Sequence, residues 1–315
     1  MEKITNTQKK RESAITEIVG VSAEIEHELL ENIKRIFDAQ PLYKYERPKT
    51  SEEKLLIADL NGRMQEFVRR FGGSPISLIS DHIHFFDEEK MTLEIKEKLK
   101  DSGGFFSNDS QEIWILPWPK NLLRRAQNIA HEMIHFNSWN SYIKSLDKAT
   151  VKTGGFTVSI KGNKERIFET VDEGIVATLV KLFDQEFFRD ISVLKSQVQE
   201  RQDIIEAVKQ QNPETDYSDV GYAQIKRLES GEDEADLQWY PQSDDRKYIS
   251  ILVEEIYEKN KLQFSSPREV FDIFARTIFT GDFKPVAQLI EKTFGSGAFK
   301  RIAEETKKVF KTSEI

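Results

Sequence analysis

The chain has 315 residues, with 46 lysines and arginines against 54 aspartates and glutamates, giving a net charge of −8. That acidic balance argues against a nucleic-acid partner, and the absence of cysteine excludes disulfide frameworks, thiolate-bound zinc, iron–sulfur clusters and thiol nucleophiles. No apolar run reaches the roughly eighteen residues of a membrane span and the opening residues are polar, so the expectation is a cytoplasmic protein with no membrane partner.

The length supports one large domain or two smaller ones. Apolar residues recur at helical spacing over residues 13–37, predicting an amphipathic arm. After Pro41 and Pro48 a second helix starts at Ser51 and runs through Leu56, Leu60, Met64 and Phe67 until Gly72 and Gly73 end it. Residues 75–79 and 82–86 are short, β-favouring stretches bounded by breakers, and residues 105–116 read as two strands around a polar Asn108-Asp109 turn. A helix begins near Asn121 and carries Leu122, Leu123, Ala126, Ile129, Ala130, Met133 and Ile134, dense enough in apolar residues to be buried. A further strand is expected over residues 154–162, then a helix over residues 165–182. Beyond residue 185 almost only helix is expected, with the acidic stretch 229–236 as a solvated loop. Ser266, Pro267 and Glu269 mark the start of one such helix, which ends before Gly281.

The buried helix carries His131-Glu132-Met133-Ile134-His135. Four residues of α-helix rise about 6 Å and turn a little over once, so both imidazoles project from one face and can converge on one metal ion. Glu132 points further around and can reach a water held by that metal. Zinc lowers the pKa of such a water to about 7, and a neighbouring carboxylate can take its proton as it attacks a polarised carbonyl. With five histidines in the chain, a random shuffle yields roughly 0.01 such motifs, so chance is a weak explanation. Paired imidazoles among Ile129, Ala130, Met133 and Phe136 are costly unless a metal satisfies them.

A catalytic zinc usually has a third protein ligand. The metzincin continuation fails, because Ser138 and Ser141 stand where a glycine and a third histidine belong, and the deformylase arrangement needs a cysteine that is absent. The following helix offers Glu169, Asp172 and Glu173, of which Glu173 opens the apolar run Ile175, Val176, Leu179 and Val180. His131-Glu132-Met133-Ile134-His135 followed by Asp172-Glu173-Gly174-Ile175 resembles the gluzincin metallopeptidases, whose third ligand is a glutamate on a later helix.

The resemblance covers roughly residues 75–185. It implies an α+β, zincin-like fold: a small sheet packed on the active-site helix, a helical N-terminal arm over residues 1–73, the metal-binding core over residues 74–185 and a helical subdomain over residues 186–315 that completes the cleft. It further implies Zn2+ held by His131, His135 and Glu173, Glu132 as general base, and a peptide or protein substrate lying along an edge strand within residues 105–116. Asp172 or Glu169 would orient a ligand histidine. A downstream tyrosine would stabilise the oxyanion, with Tyr222 the first candidate beside Tyr240 and Tyr248. Two departures stand out: 37 residues separate His135 from Glu173, and Val176 occupies the place where a Glu-Gly-x-Ala pattern expects alanine.

His82 and His84 are expected to alternate on one strand as polar residues facing the same side, and His27 to be solvated. Trp114, Trp118, Trp139 and Trp239 are expected as core or cleft walls. The competing readings are a non-catalytic, zinc-binding interaction or regulatory module and a helical scaffold without metal. Oligomeric state is open.

Overall fold

A computed structural model describes residues 41–78, 80–100, 102–107, 111–118, 120–144, 149–159, 165–227, 233–306 and 308–309. The arm expected over residues 13–37, with His27, lies outside the described residues. Within them the fold is α+β.

A short 3-10 turn and strand β1 (Glu46–Arg47) lead into helix α1 (Ser51–Arg70). Its start is fixed by a reciprocal cap: the Thr50 hydroxyl accepts from the Glu53 amide and the Glu53 carboxylate accepts from the Thr50 amide. Strand β2 (Ile83–Phe86), helix α2 (Leu93–Leu99) and the antiparallel pair β3 (Gly104–Ser107) and β4 (Glu112–Ile115) follow. The first sheet has the order β1-β2-β4-β3, with β2 and β4 parallel and β3 at the edge. Strand alternation divides this sheet between two cores. Ile83, Phe85, Ile113 and Ile115 face the main core, while Phe86, Trp114 and Leu116 close a smaller one with Leu42, Tyr45 and Met91.

Helix α3 (Leu122–Asn137), capped by the Asn121 side chain, lies against β3 and β4 and also touches α1. A second sheet, β5 (Asn140–Lys144), β6 (Ala149–Gly154), β7 (Thr157–Ser159) and β8 (Glu165–Ile167), precedes helix α4 (Glu169–Phe187). Helix α5 (Lys195–Gln211), the hairpin β9 (Val220–Arg227) and β10 (Asp233–Trp239), and helices α6 (Ser243–Lys259), α7 (Pro267–Thr280), α8 (Lys284–Phe294) and α9 (Ala298–Glu305) complete the chain, with β11 (Lys308–Val309) paired to β8. Helix α4 packs between α3 and α6, and one continuous core runs from Leu56 on α1 to Ala303 on α9. No helix among the described residues is long and apolar enough to cross a membrane.

Several expectations are corrected. Residues 75–78 form no strand, because their amides bond to side chains instead: Ile76 donates to Asn137 Oδ1 at 2.9 Å and Leu78 to Asn61 Oδ1 at 3.1 Å. The strand expected over residues 154–162 is a turn at Gly155 and Phe156 followed by β7; residues 160–164 lie outside the described residues. The helix expected from residue 165 starts only at Glu169, since residues 165–167 are drawn into the second sheet. Phe168 then takes a left-handed conformation, φ 63°, that buries its ring against Phe156 and Phe299. Residues beyond 185 are not almost all helical, because β9 and β10 pair over Val220, Ala223 and Ile204. Asp233 to Asp236 belong to β10 rather than to a solvated loop, and residues 229–232 lie outside the described residues.

His82 and His84 do not share a side. His82 closes a 3-10 turn against Phe136, whereas His84 stacks on Trp114 in the smaller core. Trp114 is fully buried, Trp118 lines a cleft, and Trp139 and Trp239 are partly exposed.

Candidate metal centre

Packing of α3 on α4 brings three side chains to one point. His131 Nε2 and His135 Nε2 lie 3.1 Å apart. Glu173 offers a different carboxylate oxygen to each ring: Oε2 lies 3.3 Å from His131 Nε2, and Oε1 3.5 Å from His135 Nε2. A tetrahedral ion with bonds of about 2.05 Å holds its ligand atoms about 3.3 Å apart. With one Glu173 oxygen toward each ring, the separations lie near that edge length, and with one ligand atom from each residue the three lie within 4.8 Å of one another; the donor set is the imidazole and carboxylate chemistry that zinc accepts. The residues present therefore fit such an ion, and among the described residues they are the group of histidines and acids so arranged.

The surroundings hold these donors in place. Asp172, one residue before Glu173, is buried. Its Oδ1 accepts from the Phe156 amide at 2.6 Å, and its Oδ2 stands 3.8 Å from His135 Nδ1. Gly155 makes the approach possible, because at φ 59° a Cβ there would stand 2.5 Å from Asp172 Oδ1. Gly174 does the same on the other side of Glu173, where a Cβ would strike the Asp245 carbonyl and Ile249 of α6. Gln242, at a left-handed φ of 51°, directs its amide nitrogen to Glu173 Oε2 at 3.5 Å.

Burial and charge set the protonation of the group. Burial alone would lower the His135 imidazole, but Glu173 and Asp172 outweigh it and raise the pKa to about 10. Glu173 is pushed up by burial and down more strongly by His135 and His131, ending well below the usual carboxylate range. Asp172 is raised to about 6, chiefly by burial, against the pull of His135. Glu132 is buried beneath β3 and its carboxyl is raised, again chiefly by burial, while the Phe106 amide bonds to it and opposes the rise.

The donors open into a cleft of about 1080 Å³ lined by β3, by Gly154 and Thr157, and by Arg124, Gln127 and Asn128 of α3, which form its floor beside the donors on the same helix. Glu169 also lines it. The candidate oxyanion tyrosines do not. Tyr222 donates to Gln224 Oε1 at 2.8 Å on β9, Tyr240 donates to Asp184 Oδ2 at 2.7 Å within a buried network, and Tyr248 on α6 is not among the lining residues. Tyr222 lies on the hairpin strand β9 and Tyr240 just after β10, in a region where the sequence predicts helix, and no motif marks either for the site. Sequence reasoning missed Gln242, Arg124 and Gly155. Arg124 alone had a local signal, lying seven residues before His131 on the same helical face.

No protein-family model matches the chain, and neither a curated protein nor a solved structure matches it. The functional reading rests on this geometry.

Proposed function

We propose that the protein is a zinc-dependent metallopeptidase of gluzincin type with a zincin-like core. The observation that carries the proposal is the convergence of His131 and His135 Nε2, 3.1 Å apart, on the two oxygens of the Glu173 carboxylate at 3.3 and 3.5 Å, beside a buried Glu132 in an open cleft. Zinc bound there supplies Lewis acidity, polarising a peptide carbonyl and making water acidic enough to attack near neutral pH.

His131, His135 and Glu173 hold the ion. Asp172 keeps the proton of His135 on Nδ1, so that Nε2 presents its lone pair. Glu132 removes the proton of the attacking water and delivers it to the leaving amine, a task for which its raised pKa suits it. Gln242 donates to Glu173 and holds its orientation. Strand β3, at the edge of its sheet, offers backbone groups to an extended peptide. At about 1080 Å³ the cleft slightly exceeds ordinary ligand pockets of about 300–1,000 Å³, room enough for an extended peptide segment.

The test is Glu132→Gln. The variant is expected to retain one equivalent of zinc by mass spectrometry and to lose about 10²–10⁴-fold in kcat/KM on a peptide library. Undiminished turnover in a zinc-replete variant would refute the assignment.

A further inference from the structure

Arg124 stands two helical turns before His131, on the same face of α3, with Gln127 and Asn128 between them on the cleft floor. Both of its hydrogen bonds leave from Nη1, to Gln127 Oε1 at 3.2 Å and to the Trp239 carbonyl at 3.3 Å. Its Nε and Nη2 donate to none of the described residues, and no carboxylate among them pairs with it. Asp184, to which Gln127 Nε2 donates, is already neutralised by Arg201, which grips both its oxygens at 2.8 Å. Gln127 is fixed in turn, because its Nε2 donates to Asp184 Oδ2 and to the Gly221 carbonyl, leaving Oε1 to face Arg124. Burial lowers the pKa of Arg124, which marks a cation short of compensation, although a guanidinium remains charged. The result is a positioned guanidinium whose Nε–Nη2 edge, the edge that grips carboxylates in a fork, has no described partner.

We propose that Arg124 receives a carboxylate of the peptide substrate, about three residues from the bond cleaved. The distance follows from seven residues of helix at about 1.5 Å each, spanned by an extended peptide at about 3.3 Å per residue. The carboxylate is either a Glu or Asp side chain or the chain terminus. This rests on the peptidase reading for the identity of the ligand, and the test uses binding so that the two can fail separately.

The experiment measures Kd by fluorescence polarisation in zinc-loaded Glu132→Gln protein, with and without Arg124→Met. The probes are four labelled hexapeptides: one with Glu and one with Gln at the third position, each with a free or an amidated C-terminus. With Arg124 present, one carboxylate is expected to tighten binding by about tenfold or more over its neutral counterpart, the size of a charge-assisted pair. In Arg124→Met that preference should fall below about twofold, and Arg124→Lys, which keeps the charge but loses the fork, should retain part of it. The Glu/Gln pair reports an acidic side chain, and the acid/amide pair reports the terminus. A preference that survives in Arg124→Met, or no carboxylate preference or no binding in the parent, overturns the proposal. Thermal unfolding and zinc content of each variant distinguish a lost contact from a lost fold. Failure of wild-type protein to cleave peptides that it binds through Arg124 would instead overturn the peptidase reading alone.

Discussion

Replacing Asp172 with asparagine tests how the proposed metal centre is held. The buried carboxylate has two jobs, accepting from the Phe156 amide at 2.6 Å and facing His135 Nδ1 at 3.8 Å. Asparagine keeps the first, because its single oxygen can take the Phe156 proton, and this fixes the amide nitrogen as the atom facing His135. At 3.8 Å the carboxylate acts on Nδ1 through charge rather than through a hydrogen bond, and its negative charge favours a proton there. An amide N–H in that place opposes it. To bind the ion the ring must give up the proton on Nε2, the nitrogen 3.1 Å from His131 Nε2 and 3.5 Å from Glu173 Oε1, while keeping the one on Nδ1, and that state becomes costlier beside the amide. Losing such an orienting partner costs about 10–100-fold in metal affinity, or about 1.4–2.7 kcal/mol. The fold should survive, since asparagine is isosteric and removes a buried charge whose pKa is already raised to about 6. The assay is zinc competition against a chromophoric chelator at neutral pH, with urea unfolding of the metal-free protein as control. A zinc Kd within about threefold of wild type, in a variant of unchanged stability, would refute the orienting role.

Asp184→Asn should destabilise the protein by about 3–5 kcal/mol, because buried Arg201 would lose its carboxylate and four converging donors would face a single acceptor; urea unfolding reads this directly, and a loss below about 1 kcal/mol would contradict it. Gly174→Ala should cost about 1–3 kcal/mol by forcing α6 away from α4, and should weaken zinc binding through Glu173; unfolding and zinc titration measured together would show whether the two losses travel together. His84 provides the pH test. Burial lowers its pKa, but Glu112 and Glu46 at 3.2 and 2.9 Å raise it further, so the net shift is upward. A histidine raised in the folded state contributes stability that is complete below about pH 6.5 and disappears as pH rises through the folded value. The stability gap between wild type and His84→Gln should therefore be widest in mild acid and shrink in alkali, and a gap that widens with pH would show that His84 is neutral.

What could be read from the sequence was what one element settles by itself. The spacing of His131 and His135 is an intrahelical distance, so convergence of their rings follows from helix geometry before any tertiary contact forms. The start of α1 was legible to within a residue for the same reason, although the residue capping it is Thr50. Before α7 the local pattern misled slightly: Glu269 bonds the hydroxyl and amide of Ser265 rather than capping through Ser266. Glu173 required a tertiary step, yet it stood out because an acid opening an apolar helix is costly without a partner. The misreadings share a cause, which is that partners distant in sequence decide the conformation. Residues 165–167 become a strand because β7 and β11 flank them, and residues 75–78 lose their strand because Asn137 and Asn61 take their amides.

The same distinction explains which part of the cleft escaped notice. Helix α3 alone lines up Arg124 with His131 and His135, but its guanidinium is held by Gln127, whose amide is fixed in turn by Asp184, the partner of Arg201 two helices away. Gln127 and Asp184 connect that pairing to the cleft floor through contacts 57 and 17 residues apart in sequence. On the proposed reading, the metal donors come from neighbours along a helix and from α4, whereas the proposed substrate contact would depend on a buried network anchored in α4, α5 and the β9 strand. Substitutions in that network should therefore alter peptide preference while leaving zinc content intact, the opposite of what Asp172→Asn does.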